Sequence, residues 1–187
     1  MALETKRCYF TFGRFQPPTT GHKDNFAGVK RTAGTDDYRI YISQTVDTKG
    51  NNPLPPDRKL FWMNKMFPEH KGHIYSGPRD PVKILQDIMM DGYDEVIMLV
   101  GSDRVGAMQF LHKYNGKDFK FRKIDIVSSG SRDADGDTFA VSGTKMRRAA
   151  FASDHAAFRK GIPTKLNDND CRSLMNEIKA NLPANFK

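Results

Sequence analysis

Long apolar runs are missing from these 187 residues. Nothing approaches the roughly 18 residues a membrane-spanning helix needs, and the opening MALETKRCYF lacks the apolar core of a signal peptide. Cysteine is scarce: Cys8 and Cys171 are the only two, and neither belongs to a C-x-x-C pair. That argues against a disulfide framework and a thiolate zinc site, and leaves a reducing cytoplasm as the default compartment. No run of five like charges occurs, so there is no basic or acidic tail. No G-x-G-x-x-G occurs, and Gly143 is followed by Thr144 rather than the Lys of a P-loop, with no glycine five positions before it. No internal repeat, low-complexity segment or long linker divides the chain, so 1–187 is read as one domain.

What is present is an ordinary globular composition, 38% hydrophobic and 28% charged, with a net charge of +8. Such a charge suits nucleic acid or a small polyphosphate. Residues 1–116 hold 16 basic and 13 acidic residues and 117–187 hold 14 and 9, a mild tilt that a solvated surface also explains. No RNA- or DNA-binding pattern accompanies it, which disfavours a nucleic-acid-binding protein. Short strand-like runs alternate with helical patterns. RCYFTF (7–12), YRIYIS (38–43), HIYS (73–76), EVIMLV (95–100) and FRKIDIVSS (121–129) read as strands, with EVIMLV apolar on both faces like a central parallel strand.

Helices are expected from about Thr20 to Arg31, over DRKLFWMNKMF with Leu60, Met63 and Phe67 as its stripe, and over DPVKILQDIMM with Asp80 as cap and Pro81 at its first position. Further helices follow in SGTKMRRAAFA, near Asp154–Arg159, and around Leu174, Ile178 and Leu182. The pattern predicts a doubly wound, Rossmann-like α/β fold: about five parallel strands with helices on both faces, a core over 1–149 and C-terminal helices over 150–187.

In such a fold ligands sit at the carboxyl ends of strands, near helix N-termini. The stretch FGRFQPPTTGHKDNF (12–26) supplies that geometry. Gly13 lets backbone approach a ligand closely, and Arg14 is a permanent cation with a fork suited to phosphate. Pro17 and Pro18 keep the crossover out of helix. Thr19 and His22, three apart at a helix start, share one face beside its free N–H groups, and Gly21 between them leaves room for phosphate. In VSGTKMR (141–147), Ser142 can cap a helix whose first N–H groups bind phosphate, with Arg147 about one turn on.

GRFQPPTTGH resembles the (H/T)-x-G-H motif of the nucleotidyltransferase superfamily, and its lead-in is most similar to the archaeal-type nicotinamide mononucleotide adenylyltransferases, small members of which occur in phages. Thr19 stands where that family usually has His. VSGTKMR resembles the superfamily's I-S-S-T-x-x-R. The resemblance implies transfer of AMP from ATP, or a nucleotide from another triphosphate, to a phosphorylated acceptor with release of pyrophosphate. Nicotinamide mononucleotide is the expected acceptor; a cytidylyltransferase acting on a sugar or alditol phosphate is the alternative.

The residues it implies as catalytic are Arg14, Thr19, His22 and Arg147. Phe12, Gly13, Phe15, Gly21, Val141, Ser142, Gly143 and Thr144 would border the nucleotide, with Mg²⁺ held mainly by substrate phosphates rather than by protein ligands. LVGSDR (99–104) resembles a Gly-x-Asp that lies by the nucleoside in bacterial members, giving Gly101 and Asp103, although a helix cap explains Asp103 equally well. Ser43, Asn52, Pro53 and Arg58 match in order the archaeal-type stretch lining the second-substrate side; a surface helix position also explains Arg58. The pattern decides neither between monomer and homo-oligomer nor between ATP and CTP.

Three features are discounted. DADGD (133–137) starts like a calcium loop but has Thr138 where the glycine belongs and Thr144 where the glutamate belongs. Trp62 can stack on a base, yet it lies in an apolar helix and reads as core. His70, His73, His112 and His155 have no ligand-like spacing.

Overall fold

A computed structural model describes residues 4–78, 80–129 and 142–187. β1 (Arg7–Gly13) runs into α1 (Thr20–Ala33), then β2 (Asp37–Ser43), α2 (Pro56–Met66), β3 (Ile74–Gly77), α3 (Pro81–Met90), β4 (Glu95–Val100) and β5 (Lys123–Ser128). The chain closes with α4 (Gly143–Phe151), α5 (His155–Lys160) and α6 (Asp168–Asn181). The five strands form one parallel sheet in the order β3-β2-β1-β4-β5. This is the doubly wound, Rossmann-like α/β fold expected.

Period-two alternation sorts β4 between two cores. Val96, Met98 and Val100 join Ile84, Leu85 and Ile88 of α3 on one face, while Ile97 and Leu99 join Phe26, Trp62 and Leu174 on the other. Trp62 is therefore core. Phe158, Cys171, Leu174 and Ile178, from the region beyond 150, belong to the same cluster as Phe26 and Ile40, so the C-terminal helices complete one face of the sheet. Cys8 and Cys171 are both buried free thiols, in different clusters.

Local chemistry sets several element ends. The Asp80 carboxylate accepts the Val82 N–H at 2.9 Å, and Pro81 occupies the first turn of α3, where a missing N–H costs nothing. FRKIDIVSS shortens to Lys123–Ser128, and HIYS slides by one residue to Ile74–Gly77. Between β4 and β5, where strict alternation would place an α-helix, the chain forms two 3₁₀ segments, Ser102–Arg104 and Gly106–Tyr114. In the longer one only Met108 and Leu111 are buried, and a three-residue spacing suits a three-residue turn.

From β1 the chain goes to β2 on one side and only later to β4 on the other. The loops leaving the carboxyl ends of β1 and β4 therefore diverge, which opens a crevice there. Val141 and the DADGD stretch (133–137) lie outside the described residues. Among those described, no helix is long and apolar enough to cross a membrane.

Candidate functional site

The loop leaving β1 is held by its own side chains. Phe15 takes a positive φ of 50° and folds its ring back, edge-on to His22 at 4.8 Å and to Phe26 at 5.2 Å between centroids. A Cβ on Gly13 would lie 2.8 Å from that ring, so glycine is what lets Phe15 cover the strand end. Phe15 thus supports His22 from the core, and the close approach at Gly13 is to Phe15. Next, the Gln16 amide donates to Leu54 O at 3.0 Å and accepts the Leu54 N–H at 2.9 Å, latching this loop to the one after β2. Arg14 is left exposed and makes no ion pair among the described residues.

Thr19, in extended backbone, precedes the first turn of α1. Its N–H donates to His22 Nδ1 at 3.0 Å, and its hydroxyl lies 3.2 Å from the same nitrogen. An Nδ1 that accepts from a backbone N–H carries no proton of its own, so the ring proton sits on Nε2, which makes that atom a donor. Thr19 is 2% exposed; its polar atoms orient the imidazole. At Gly21 a Cβ would meet nothing nearer than 3.6 Å, so the surface beside this pair is open.

The second segment closes on the first. Ser142 caps α4, its hydroxyl accepting the Lys145 N–H at 3.1 Å. Arg147, 6% exposed, then reaches back: Nη1 donates to Gln16 O at 2.8 Å and Nη2 to Thr144 Oγ1 at 3.2 Å. Its Nε is buried without a partner among the described residues. Burial lowers the pKa of this guanidinium, and the charge of Arg14 lowers it further. A Cβ on Gly143 would lie 2.9 Å from Arg147 Nη1 and 3.2 Å from Gln16 O, so Gly143 makes room for the bond joining the two segments. Arg14, Thr19, His22 and Arg147 are thereby gathered around residues 14–19.

The remaining candidates divide. Phe12 is half-buried against the α3-side core. Gly101 and the exposed Asp103 follow β4, beside β1, with the Asp103 carboxylate folded over Gly101. The Ser43 hydroxyl is used within its own turn, 2.5 Å from Thr45 Oγ1 and accepting the Thr45 N–H at 3.0 Å. Asn52 donates to the Asp47 carboxylate, and Pro53 is buried beside it. Arg58 is engaged elsewhere: Nε and Nη2 meet Glu177 of α6 at 2.7 and 3.1 Å, and Trp62 Nε1 donates to the same carboxylate at 2.9 Å.

Gln16 and Lys59 were not singled out from the sequence. Lys59 is completely buried, and its Nζ donates to Arg14 O at 2.7 Å and Ser43 O at 2.5 Å, tying the ends of β1 and β2 together. Burial, with Arg14 adding to it, brings its pKa down to about 8. The available signal was a lysine heading the buried stripe Lys59, Trp62, Met63 and Met66.

Asp47 bears on any metal. Burial alone would raise its carboxyl, but the Asn52 amide and the N–H groups of Lys49, Gly50 and Asn51 outweigh that and hold it below the usual range. Its oxygens are committed to its own loop. No group of three His, Cys, Asp or Glu among the described residues is placed to hold a metal ion. Among the described residues the groups gathered here are cations and N–H donors, a set that fits phosphate.

No known family pattern matches the chain, and no curated protein matches it in sequence. Solved structures do match in shape. Nicotinic acid mononucleotide adenylyltransferase of Plasmodium falciparum complexed with NaAD aligns with a TM-score of 0.56 at 14% identity, covering 91% of this chain and 98% of that one. The same enzyme complexed with APC gives 0.55 at 14% identity, again covering 91% and 98%. A bifunctional NMN adenylyltransferase/ADP ribose pyrophosphatase from Francisella tularensis gives 0.50 at 13% identity over 80% of this chain and 43% of that one. At these identities the likeness is one of fold.

Proposed function

We propose that this chain is a nucleotidyltransferase that moves AMP from ATP to a phosphorylated acceptor, nicotinamide mononucleotide, and releases pyrophosphate. The observation that carries the reading is the closure of Arg147 onto Gln16 O, which sets a buried guanidinium, bonded to no carboxylate among the described residues, beside Arg14 and the Thr19–His22 pair at the sheet's switch point. The fold shared with adenylyltransferases acting on such mononucleotides supports it.

In this reading an acceptor phosphate oxygen attacks the α-phosphorus in line. Its bond forms as the bond to the bridging oxygen breaks, and the electron pair leaves with pyrophosphate. No protein nucleophile is needed, so catalysis is positioning and charge stabilisation. His22 Nε2–H donates to a phosphate oxygen, with Thr19 fixing the tautomer. Arg14 and Arg147 meet the charge that moves toward pyrophosphate. The first N–H groups of α1, past Gly21, and those of α4, past Ser142, Gly143 and Thr144, receive phosphate oxygens. Gly101 and Asp103 border the nucleoside, and Ser43, Asn52 and Pro53 the acceptor. Mg²⁺ bound with the triphosphate would be held mainly by substrate phosphates and would shield their charge.

The test is a matrix of the four ribonucleoside triphosphates against nicotinamide mononucleotide, nicotinic acid mononucleotide and sugar phosphates, read by pyrophosphate. Release with ATP and nicotinamide mononucleotide is expected. Product with CTP and none with ATP would replace the nucleotide; no release with any pair would end the reading.

A further inference from the structure

A cavity of about 420 Å³ lies between α1 and the 3₁₀ turn Pro68–His70 that follows α2. Lys23, Ala27, Lys30 and Arg31 form one wall; spaced i, i+4, i+7 and i+8, they share one face of α1. Glu69 and His70 supply the opposite wall. Among the described residues, none from the loop leaving β1 or from α4 lines the cavity, so it is separate from the site of Arg14, His22 and Arg147. Its volume falls in the range of sites for small organic ligands.

His70 is 1% exposed and is held by core aromatics. Its ring is edge-on to Phe26 at 5.9 Å and to Tyr38 at 5.7 Å between centroids, and Nδ1 lies 3.0 Å from the Tyr38 hydroxyl. A phenol donates more readily than it accepts, so Nδ1 takes the Tyr38 O–H and the ring's own proton sits on Nε2. That atom has no hydrogen-bond partner among the described residues. Burial lowers the pKa of the ring; Glu69 opposes the shift and Lys30 adds to it, so His70 meets a ligand as a neutral donor.

The charge of the rim is of one sign in balance. Lys23, Lys30 and Arg31 make no ion pair among the described residues, and Glu69 is the only carboxylate facing them in the lining. Lys30 and Arg31 also offset the negative end of the α1 dipole, but that role asks for neither a cavity nor a buried histidine across from it. The methylene stems of the cations, with Ala27 between them, give the wall an apolar surface below its charged edge.

We propose that this cavity binds a small organic anion, its carboxylate or phosphate on His70 Nε2 with Lys30 and Arg31 as counter-charges, and its apolar body along Ala27 and the lysine stems. The site requires nothing of the proposed transferase reaction.

The test is a titration of isotope-labelled full-length protein with phenyl phosphate and with benzoate, read residue by residue from amide chemical shifts. Saturable shifts at Ala27, Lys30 and His70 are expected, and the tighter of the two anions identifies the head group. Phenol, the same ring without the charge, should bind roughly tenfold more weakly. Lys30→Ala combined with Arg31→Ala removes two exposed side chains; the variant should melt like wild type and bind the anion roughly fivefold more weakly. Lys71→Ala, an exposed neighbouring cation outside the lining, should leave affinity unchanged. The site is overturned by absence of saturable shifts at those amides, by phenol binding as tightly as the anions, by undiminished affinity in the double variant, or by an equal loss with Lys71→Ala. Shifts confined to the loop leaving β1 and the start of α4 would overturn it as well, since the anion would then occupy the transferase site. Pyrophosphate release does not enter any of these outcomes, so failure of the transferase reading stays distinguishable from failure of this one.

Discussion

Lys59→Met exchanges a buried amine for an apolar chain of similar length, and its effect has a definite dependence on pH. The wild-type pKa falls from 10.5 unfolded to about 8 folded, first through burial and then through the charge of Arg14. A lysine with a depressed folded pKa makes the unfolded state the better proton binder between those two values. Wild-type stability from this residue therefore rises with pH, from about 8 until both states are neutral near 10.5. At about 1.4 kcal/mol per unit, the full span is worth roughly 3 kcal/mol. The bonds to Arg14 O and Ser43 O persist through the titration, because a neutral amine still has two hydrogens for two carbonyls.

Methionine leaves both carbonyls without their donor, at about 1–3 kcal/mol each, but that loss does not vary with pH. Urea unfolding of both proteins from pH 7.5 to 10 isolates the effect, since titrations common to the two cancel in the difference. The advantage of wild type over Lys59→Met should widen by about 2 kcal/mol across that range, the rest of the span lying outside it. A constant gap, or one that narrows as pH rises, would refute the assignment of a depressed lysine between the two strand ends.

Three further outcomes follow from the site. His22→Ala should melt like wild type and turn over roughly 10²–10³-fold more slowly in a pyrophosphate-release assay, the usual loss for one transition-state donor; unchanged turnover in the folded variant ends its catalytic role. Arg147→Ala should lower kcat by a similar factor, with Arg147→Lys remaining well below wild type because it loses the fork that reaches Gln16 O and Thr144 together, whereas Arg148→Ala should act mainly on KM; the reverse order would show the helix register to be misread. Gly143→Ala should lower the melting temperature, because its Cβ would sit 2.9 Å from Arg147 Nη1 and 3.2 Å from Gln16 O, and should cost roughly tenfold in turnover by pushing the guanidinium off Gln16 O; wild-type turnover would mean that the Arg147–Gln16 bond does not matter.

The parts legible in the sequence are those whose cause is local. EVIMLV announces a strand covered on both faces because every residue in it is apolar, and Asp80 and Ser142 announce helix starts because a cap needs only its next two or three residues. Thr19 and His22 are legible for the same reason, being three apart at a helix start, although the sequence alone does not say that the threonine would serve the histidine rather than face outward. Illegible were the contacts that close over long separations onto backbone atoms, which look alike at every position. Lys59 reaches a carbonyl 45 residues away and Arg147 one 131 residues away.

Arg58 and Arg147 show why residue type did not suffice. Each is an arginine in the first turn or two of a helix, and each falls in a stretch that resembles a substrate-binding motif. What separates them is a carboxylate 119 residues further on: Glu177 takes both nitrogens of Arg58's fork, while no carboxylate among the described residues bonds to Arg147. Glu177 lies in α6, within the region that carries no recognisable motif, where it reads as one more surface acid of an amphipathic helix. Which cation stays available for a phosphate is thus decided by the packing of the C-terminal helices, by subtraction, and that is settled only once the second face of the sheet is covered.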